Sequence, residues 1–184
     1  MSIQVEDYFA RDTFQKMKAF ADKQETPFVV IDTQMISKAY DDLRAGFEFA
    51  KVYYAVKANP AVEIIDLLKD KGSNFDIASI YELDKVMNQG VSPDRISYGN
   101  TIKKERDIAR AFSLGIRLFA VDCVEEVEKI ARVAPGARVF CRVLTDGEGA
   151  EWPLSRKFGC VPAMAVDVLR RAKSLGLDAY GVSF

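Results

Sequence analysis

Histidine is absent from all 184 residues. Its absence removes the usual imidazole base and the commonest nitrogen ligand for a transition metal. Cysteine is scarce: Cys123, Cys141 and Cys160 are an odd number with no C-x-x-C pair. That pattern argues for buried free thiols rather than a disulfide framework, and no metal site is expected. No apolar run is long enough to cross a bilayer. The opening stretch Met1-Ser2-Ile3-Gln4-Val5-Glu6-Asp7 has early acids and no apolar signal core. A cytoplasmic protein with no membrane partner is therefore expected. Neither sign of charge is in excess, with 26 Lys+Arg against 27 Asp+Glu. That leaves no basic face for nucleic acid and no acidic tail. No G-x-G-x-x-G follows the first apolar segment, which counts against a dinucleotide-binding doubly wound sheet.

What is present is a chain of one-domain length, 49% hydrophobic, enough for a proper core. Residues 1–27 read as a helical segment with Phe9, Phe14, Met17 and Phe20 as a docking stripe, broken at Thr26-Pro27. Residues 28–184 read as strands alternating with helices. Phe28-Val29-Val30-Ile31 is taken as a strand. Asp32 or Thr33 then caps a helix with Met35, Ile36, Ala39, Tyr40 and Leu43 on one face. Phe47 and Phe49 read as core. Val52-Tyr53-Tyr54-Ala55-Val56-Lys57 is a β-branched and aromatic run stopped by Asn59-Pro60, the pattern of a buried parallel strand.

From there a strand–helix unit recurs. Strands are expected at Asn74–Ala78, Ile96–Asn100, Leu118–Asp122, Val139–Leu144 and Ala179–Phe184. Gly72, Gly90, Gly115 and Gly176 close the intervening helices. Ser79 and Glu82 have capping-box spacing, Thr101 and Asp122 are candidate caps, and Pro162 opens the last helix. Glu125 and Glu126 fall early in a helix, Lys129 and Arg132 late, matching the macrodipole. Lys51 and the run Lys103-Lys104-Glu105-Arg106 read as solvated faces. Regular alternation argues for a parallel sheet with right-handed crossovers, and the spacing fits a (β/α) barrel.

In such barrels the chemistry collects at the carboxyl ends of the strands. Those ends here carry Lys57, Asp76, Asn100, Asp122 and Arg142. Burial disfavours the ammonium form of a lysine, and a neutral amine is a nucleophile able to form a Schiff base. The alternative is a lysine that merely reaches water along its flexible stem. Asp76 sits between Phe75 and Ile77, where an unpaired carboxylate is costly, so it needs a cationic partner. Arg142 is likewise embedded in an apolar strand and needs an anion.

Taken in order, the motifs Tyr54-Ala55-Val56-Lys57-Ala58-Asn59, Phe75-Asp76-Ile77-Ala78-Ser79, Tyr98-Gly99-Asn100, Cys141-Arg142-Val143-Leu144, Leu154-Ser155-Arg156-Lys157-Phe158-Gly159 and Gly181-Val182-Ser183-Phe184 carry a resemblance. They resemble the alanine-racemase-type barrel of pyridoxal-phosphate decarboxylases, with ornithine and lysine/ornithine decarboxylases nearest. The resemblance implies pyridoxal 5'-phosphate as cofactor, held by Lys57 through a Schiff base, with Asp76 beside the lysine and Arg142 near the ring's phenolic oxygen. It implies decarboxylation of a basic amino acid, ornithine or lysine, to a diamine for polyamine biosynthesis. It also implies a homodimer, with Lys157 in the stretch that helps form the interface.

The same resemblance implies parts that do not occur here: a histidine after Phe184 that stacks on the pyridine ring, two further strands, and a β-rich carboxyl-terminal domain with a catalytic cysteine. The expected fold is thus α/β, a pyridoxal-phosphate-binding (β/α)8-type barrel that is incomplete, with about six of eight strands. Other readings are a non-catalytic regulator of the decarboxylase, a racemase or diaminopimelate decarboxylase, and an engineered partial barrel. Retention of Lys57, Asp76 and Arg142 argues against the regulator. Open strand edges near Tyr54 and Val182 would template association. The 184 residues alone are expected to dimerise through those edges or be insoluble, and neither to hold the cofactor tightly nor to release carbon dioxide from ornithine or lysine. Sedimentation showing a stable monomer that unfolds cooperatively would contradict the first part.

Overall fold

The computed structural model describes residues 9–145, 149, 151 and 158–184. Six parallel strands pair in sequence order: β1 (Tyr53–Ala55), β2 (Asn74–Ile77), β3 (Ile96–Tyr98), β4 (Leu118–Val121), β5 (Arg138–Arg142) and β6 (Asp178–Ser183). Each is joined to the next by a helix: α3 (Val62–Asp70), α4 (Ile80–Asn88), α5 (Glu105–Ser113), α6 (Val124–Val133) and α7 (Pro162–Ser174). Two helices precede the sheet, α1 (Arg11–Ala21) and α2 (Thr33–Gly46). Strands paired in order, with a helix in every crossover, form a curved segment of a barrel wall.

The two faces of this wall follow from a side-chain period of two. Phe75, Ile77, Phe119, Val121, Val139 and Cys141 point outward and are fully buried under the helices. They meet Ile65, Leu83, Ile108, Ile130 and Val168 from the helical layer. Each such burial contributes roughly 1.5–3 kcal/mol, so the core lies between sheet and helices rather than inside the ring. The register Ala55–Asp76–Ser97–Leu118 places one residue from each of four strands in a single row on the opposite, inner face.

Local signals set several boundaries. Ser79 caps α4 by accepting from the Glu82 amide at 3.3 Å, while the Glu82 carboxylate accepts from the Ala78 amide at 2.7 Å. This is the reciprocal arrangement of a capping box, displaced by one residue. Asp32 caps α2 by accepting from the Gln34 amide at 2.8 Å. Pro162 takes the first position of α7. Gly159, at φ +115°, returns the chain to β5, where a Cβ would lie 3.1 Å from the Leu144 nitrogen.

Other expectations give way. Phe28–Ile31 forms no strand, and Val29 is 85% exposed. Phe47 and Phe49 are exposed rather than core, and α1 has no buried residue. Of the α2 face only Tyr40 is buried. On α2, Ile36 packs at the edge of the core beside Tyr40, whereas Met35 and Leu43 stay exposed. Thr101 caps nothing: α5 starts at Glu105, and the Thr101 hydroxyl is buried without a partner among the described residues. Asp122 does not cap α6 either; its carboxylate accepts from the Gly159 amide at 3.1 Å.

The largest revision concerns Lys103, expected on a solvated face. It is only 4% exposed. Its ammonium donates to the carbonyls of Ala120 at 2.6 Å and Asn100 at 2.8 Å, and pairs with Glu126 at 3.0 Å. Lys129 closes on the other Glu126 oxygen at 2.5 Å. Burial pushes the Lys103 amine toward its neutral form, and the Glu126 carboxylate pushes back. The lysine folds inward because three acceptors from separate segments, the Asn100 carbonyl after β3, the Ala120 carbonyl of β4 and the Glu126 carboxylate of α6, match its three protons. Removing one partner strands the other charge in a dry site. We therefore predict that Glu126→Ala costs about 3–5 kcal/mol in urea denaturation. Lys103→Met combined with Glu126→Leu should cost much less than the sum of the single changes.

Candidate active site

The inner face of the wall encloses a cavity of about 410 Å³ at the carboxyl ends of the strands. Tyr53 and Ala55 line it from β1, Asp76 from β2, Ser97 and Gly99 from β3 and the residues after it, Leu118 from β4, and Phe140 and Arg142 from β5. Small residues at Ala55, Ser97 and Gly99 leave the room, and large ones at Tyr53 and Phe140 bound it.

Asp76 is the acid of this cavity. Ser97 Oγ donates to its Oδ1 at 2.6 Å. Burial pushes the Asp76 carboxyl above its ordinary range; the Ser97 hydrogen bond and the positive charges of Lys57 and Arg142 oppose that, while Glu82 adds to it. Asp76 and Arg142, expected to need each other's sign, thus line the same cavity and sense each other electrostatically.

Lys57 stands differently from the expectation. β1 stops at Ala55, and Val56–Ala58 forms a 3₁₀ turn. Val56 is buried beneath it, so the next side chain is thrown outward: Lys57 is exposed, and it is not among the cavity-lining residues. It is therefore not the poorly solvated lysine that a longer strand would have produced. It remains within electrostatic reach of Asp76. Tyr54 and Asn59 brace the turn: the Tyr54 hydroxyl donates to the Asn59 carbonyl at 3.1 Å, and the Asn59 side chain accepts from the Ala61 amide at 3.1 Å. Lys157 lies outside the described residues.

A family model described as the pyridoxal-binding domain of pyridoxal-dependent decarboxylases matches residues 33–184. The chain belongs to that family. The lysine/ornithine decarboxylase of Selenomonas ruminantium is 35% identical over 170 residues, spanning 92% of this chain and 43% of that protein. The ornithine decarboxylase of Saccharomyces cerevisiae is 38% identical over 162 residues, 88% of this chain and 34% of its own length. The crystal structure of an arginine decarboxylase from Paramecium bursaria Chlorella virus superposes with a TM-score of 0.85 at 29% identity, covering 94% of this chain and 47% of that one. The chain thus spans less than half the length of these relatives. The family's cofactor is pyridoxal phosphate, and the parallel six-stranded wall is that of its barrel domain.

The residues present fit that group. A cavity of about 410 Å³ with an arginine and a carboxylate on its wall suits an anionic aromatic ring that carries a basic nitrogen. Ser97 escaped the motif reading and Gly99 entered it with no role of its own, although the alternation Ile96-Ser97-Tyr98-Gly99 already puts the two smallest residues on one face. Of the cysteines, Cys141 and Cys160 are buried with their sulfurs 3.5 Å apart, on the helix side of the wall. Burial pushes the Cys141 thiol up to about 12, which keeps it protonated and inert.

The raised Asp76 carboxyl has a consequence for stability. Folded Asp76 keeps its proton to higher pH than the unfolded chain does, so stability falls as pH rises from the ordinary aspartate range through the raised folded value. The full penalty is present above that value. Asp76→Asn keeps an acceptor for Ser97 and removes the charge. It should raise stability at pH 7 by on the order of 1 kcal/mol, with the gain disappearing below pH of about 4, as read by thermal melts across pH.

Proposed function

We propose that this domain holds pyridoxal phosphate for the decarboxylation of a basic amino acid, ornithine or lysine, to a diamine, within a protein that acts as a pyridoxal-phosphate-dependent carboxy-lyase. The observation that carries the reading is the meeting of Asp76 and Arg142 in one cavity, with Lys57 within electrostatic reach of Asp76, on a chain that matches the family through residues 33–184. When bound, the cofactor supplies the electron sink for the pair left behind as the substrate carboxylate departs as carbon dioxide.

The chain's own residues then have separable tasks. Lys57 Nζ would hold the cofactor through its aldehyde, the amine being solvent-accessible and within electrostatic reach of Asp76. The same nitrogen would serve as the proton donor once carbon dioxide has left. Arg142 offers guanidinium protons to an anionic oxygen of the ring and fixes its orientation. Asp76 counters the positive charge of Lys57 and steadies it near the cavity. Leu118 and Phe140 line the cavity with apolar surface against which an aromatic ring would pack.

The substrate class follows the relatives' printed activities on lysine, ornithine and arginine. We also propose a cytoplasmic homodimer with a role in polyamine formation. The division at residue 27 between a helical lead segment and the barrel belongs to the same proposal. The dimer is supported by large apolar side chains standing in solvent, among them Val29 at 85% and Phe49 at 90% exposure.

The decisive experiment is borohydride reduction of a protein carrying the domain, incubated with pyridoxal phosphate, followed by peptide mapping. Label should concentrate on Lys57 over the other lysines and disappear from that peptide in Lys57→Ala. Uniform labelling of surface lysines would defeat the assignment. In a protein carrying the domain, the same substitution should abolish carbon dioxide release from carboxyl-labelled ornithine and lysine, a loss of about 10³-fold or more.

A further inference from the structure

We infer that Ser97 and Gly99 are positioning residues for Asp76: a hydroxyl that grips the carboxylate and a missing side chain that gives it room, together fixing its place in the cavity.

The ladder makes the grip possible. Asp76 and Ser97 are register partners on adjacent parallel strands, so their side chains leave the sheet side by side on the inner face. Ser97 is 4% exposed, so its hydroxyl is largely withdrawn from water even though it borders the cavity. Among the described residues its proton goes to Asp76 Oδ1, at 2.6 Å, the length of a hydrogen bond to an ionised acceptor.

Gly99 supplies the room. An added Cβ there would lie 2.3 Å from Oδ1, 2.3 Å from Oδ2 and 2.6 Å from Cγ of Asp76. No side chain can occupy that space while the carboxylate does. Nor does the backbone ask for glycine: Gly99 is not among the residues with positive φ. The glycine is therefore required by the neighbour's carboxylate alone. Two positions on one strand, both facing inward, thus serve a single rotamer of a residue on the next strand.

Several charged or titratable groups act on that carboxylate. Lys57 does so from the turn after β1, Arg142 from β5, Glu82 from α4 and Tyr53 from β1. The cations favour ionisation; Glu82 and burial disfavour it. Ser97 adds its weight to the ionised form, the form that can hold Lys57 or a protonated ring nitrogen. This purpose rests on the cofactor reading above, whereas the geometry does not.

The test is a carbon-13 NMR titration of the Asp76 carboxyl in the full chain without cofactor. Ser97→Ala should shift the Asp76 midpoint upward. Gly99→Ala should shift it the same way, because the displaced carboxylate loses the Ser97 bond. Ser97→Ala in the Gly99→Ala background should add little, and Ser97→Thr should restore most of the wild-type value. An unchanged midpoint in Ser97→Ala, or shifts that simply add, would overturn the inference. Ser97→Ala removes one buried oxygen only, so it decides the matter even if Gly99→Ala fails to fold. Borohydride labelling of Lys57 in the same samples reads the cofactor assignment separately. Its absence with the NMR shifts intact would remove the purpose and leave the positioning.

Discussion

A carboxylate held on the inside of a parallel sheet is the constraint from which the rest of this molecule follows. Asp76 is surrounded by the low-dielectric wall, and burial alone would keep it protonated. It stays available for charge because one hydroxyl touches it and two cations lie within reach. Every one of these neighbours comes from a different part of the chain. The parallel register delivers them: Ser97 from the next strand, Arg142 from β5, Lys57 from the turn that ends β1. A one-residue slip in any ladder would send its contribution to the helix side instead.

The wall itself tolerates that polar interior because its stability is earned on the other face. Phe75, Phe119, Val139 and their helical partners form a continuous core outside the ring. The inner face is therefore free to carry small and polar residues. The Lys103–Glu126–Lys129 cluster extends the same division to the loops. It ties the connection after β3 to the end of β4 and to α6, and so holds the rim from which Gly99 and Asn100 emerge. Buried ionic clusters of this kind contribute register more than net stability.

Exposure of Lys57 is compatible with the capture role proposed for it. Val56 anchors the turn from below, while Tyr54 and Asn59 brace it at either end. The amine is thus solvent-exposed at its tip and braced at its base. A group that must first meet a cofactor from solution benefits from that combination more than from deep burial. The electrostatic tie to Asp76 biases it toward the cavity.

Much of this was legible in one dimension. Strand–helix alternation, the glycines that close helices, the capping box at Ser79 and the strand positions of Asp76 and Arg142 are local or periodic signals, and they survive because short-range sterics and burial period decide them. The strand expected to run to Lys57, by contrast, stops two residues short. The apolar stretches at Phe28–Ile31, Phe47 and Phe49 misled, since hydrophobicity states a need for a partner without saying whether one is near. Lys103 misled in the opposite direction: a charge run reads as solvated until two carbonyls and a carboxylate from distant segments converge on it. The pairing of Ser97 with Asp76, and the emptiness required at Gly99, exist only across a strand pair. Composition and pattern name the residues of this barrel wall. Which of them touch is settled by the register between strands, because contacts between segments far apart in sequence depend on geometry that no single segment contains.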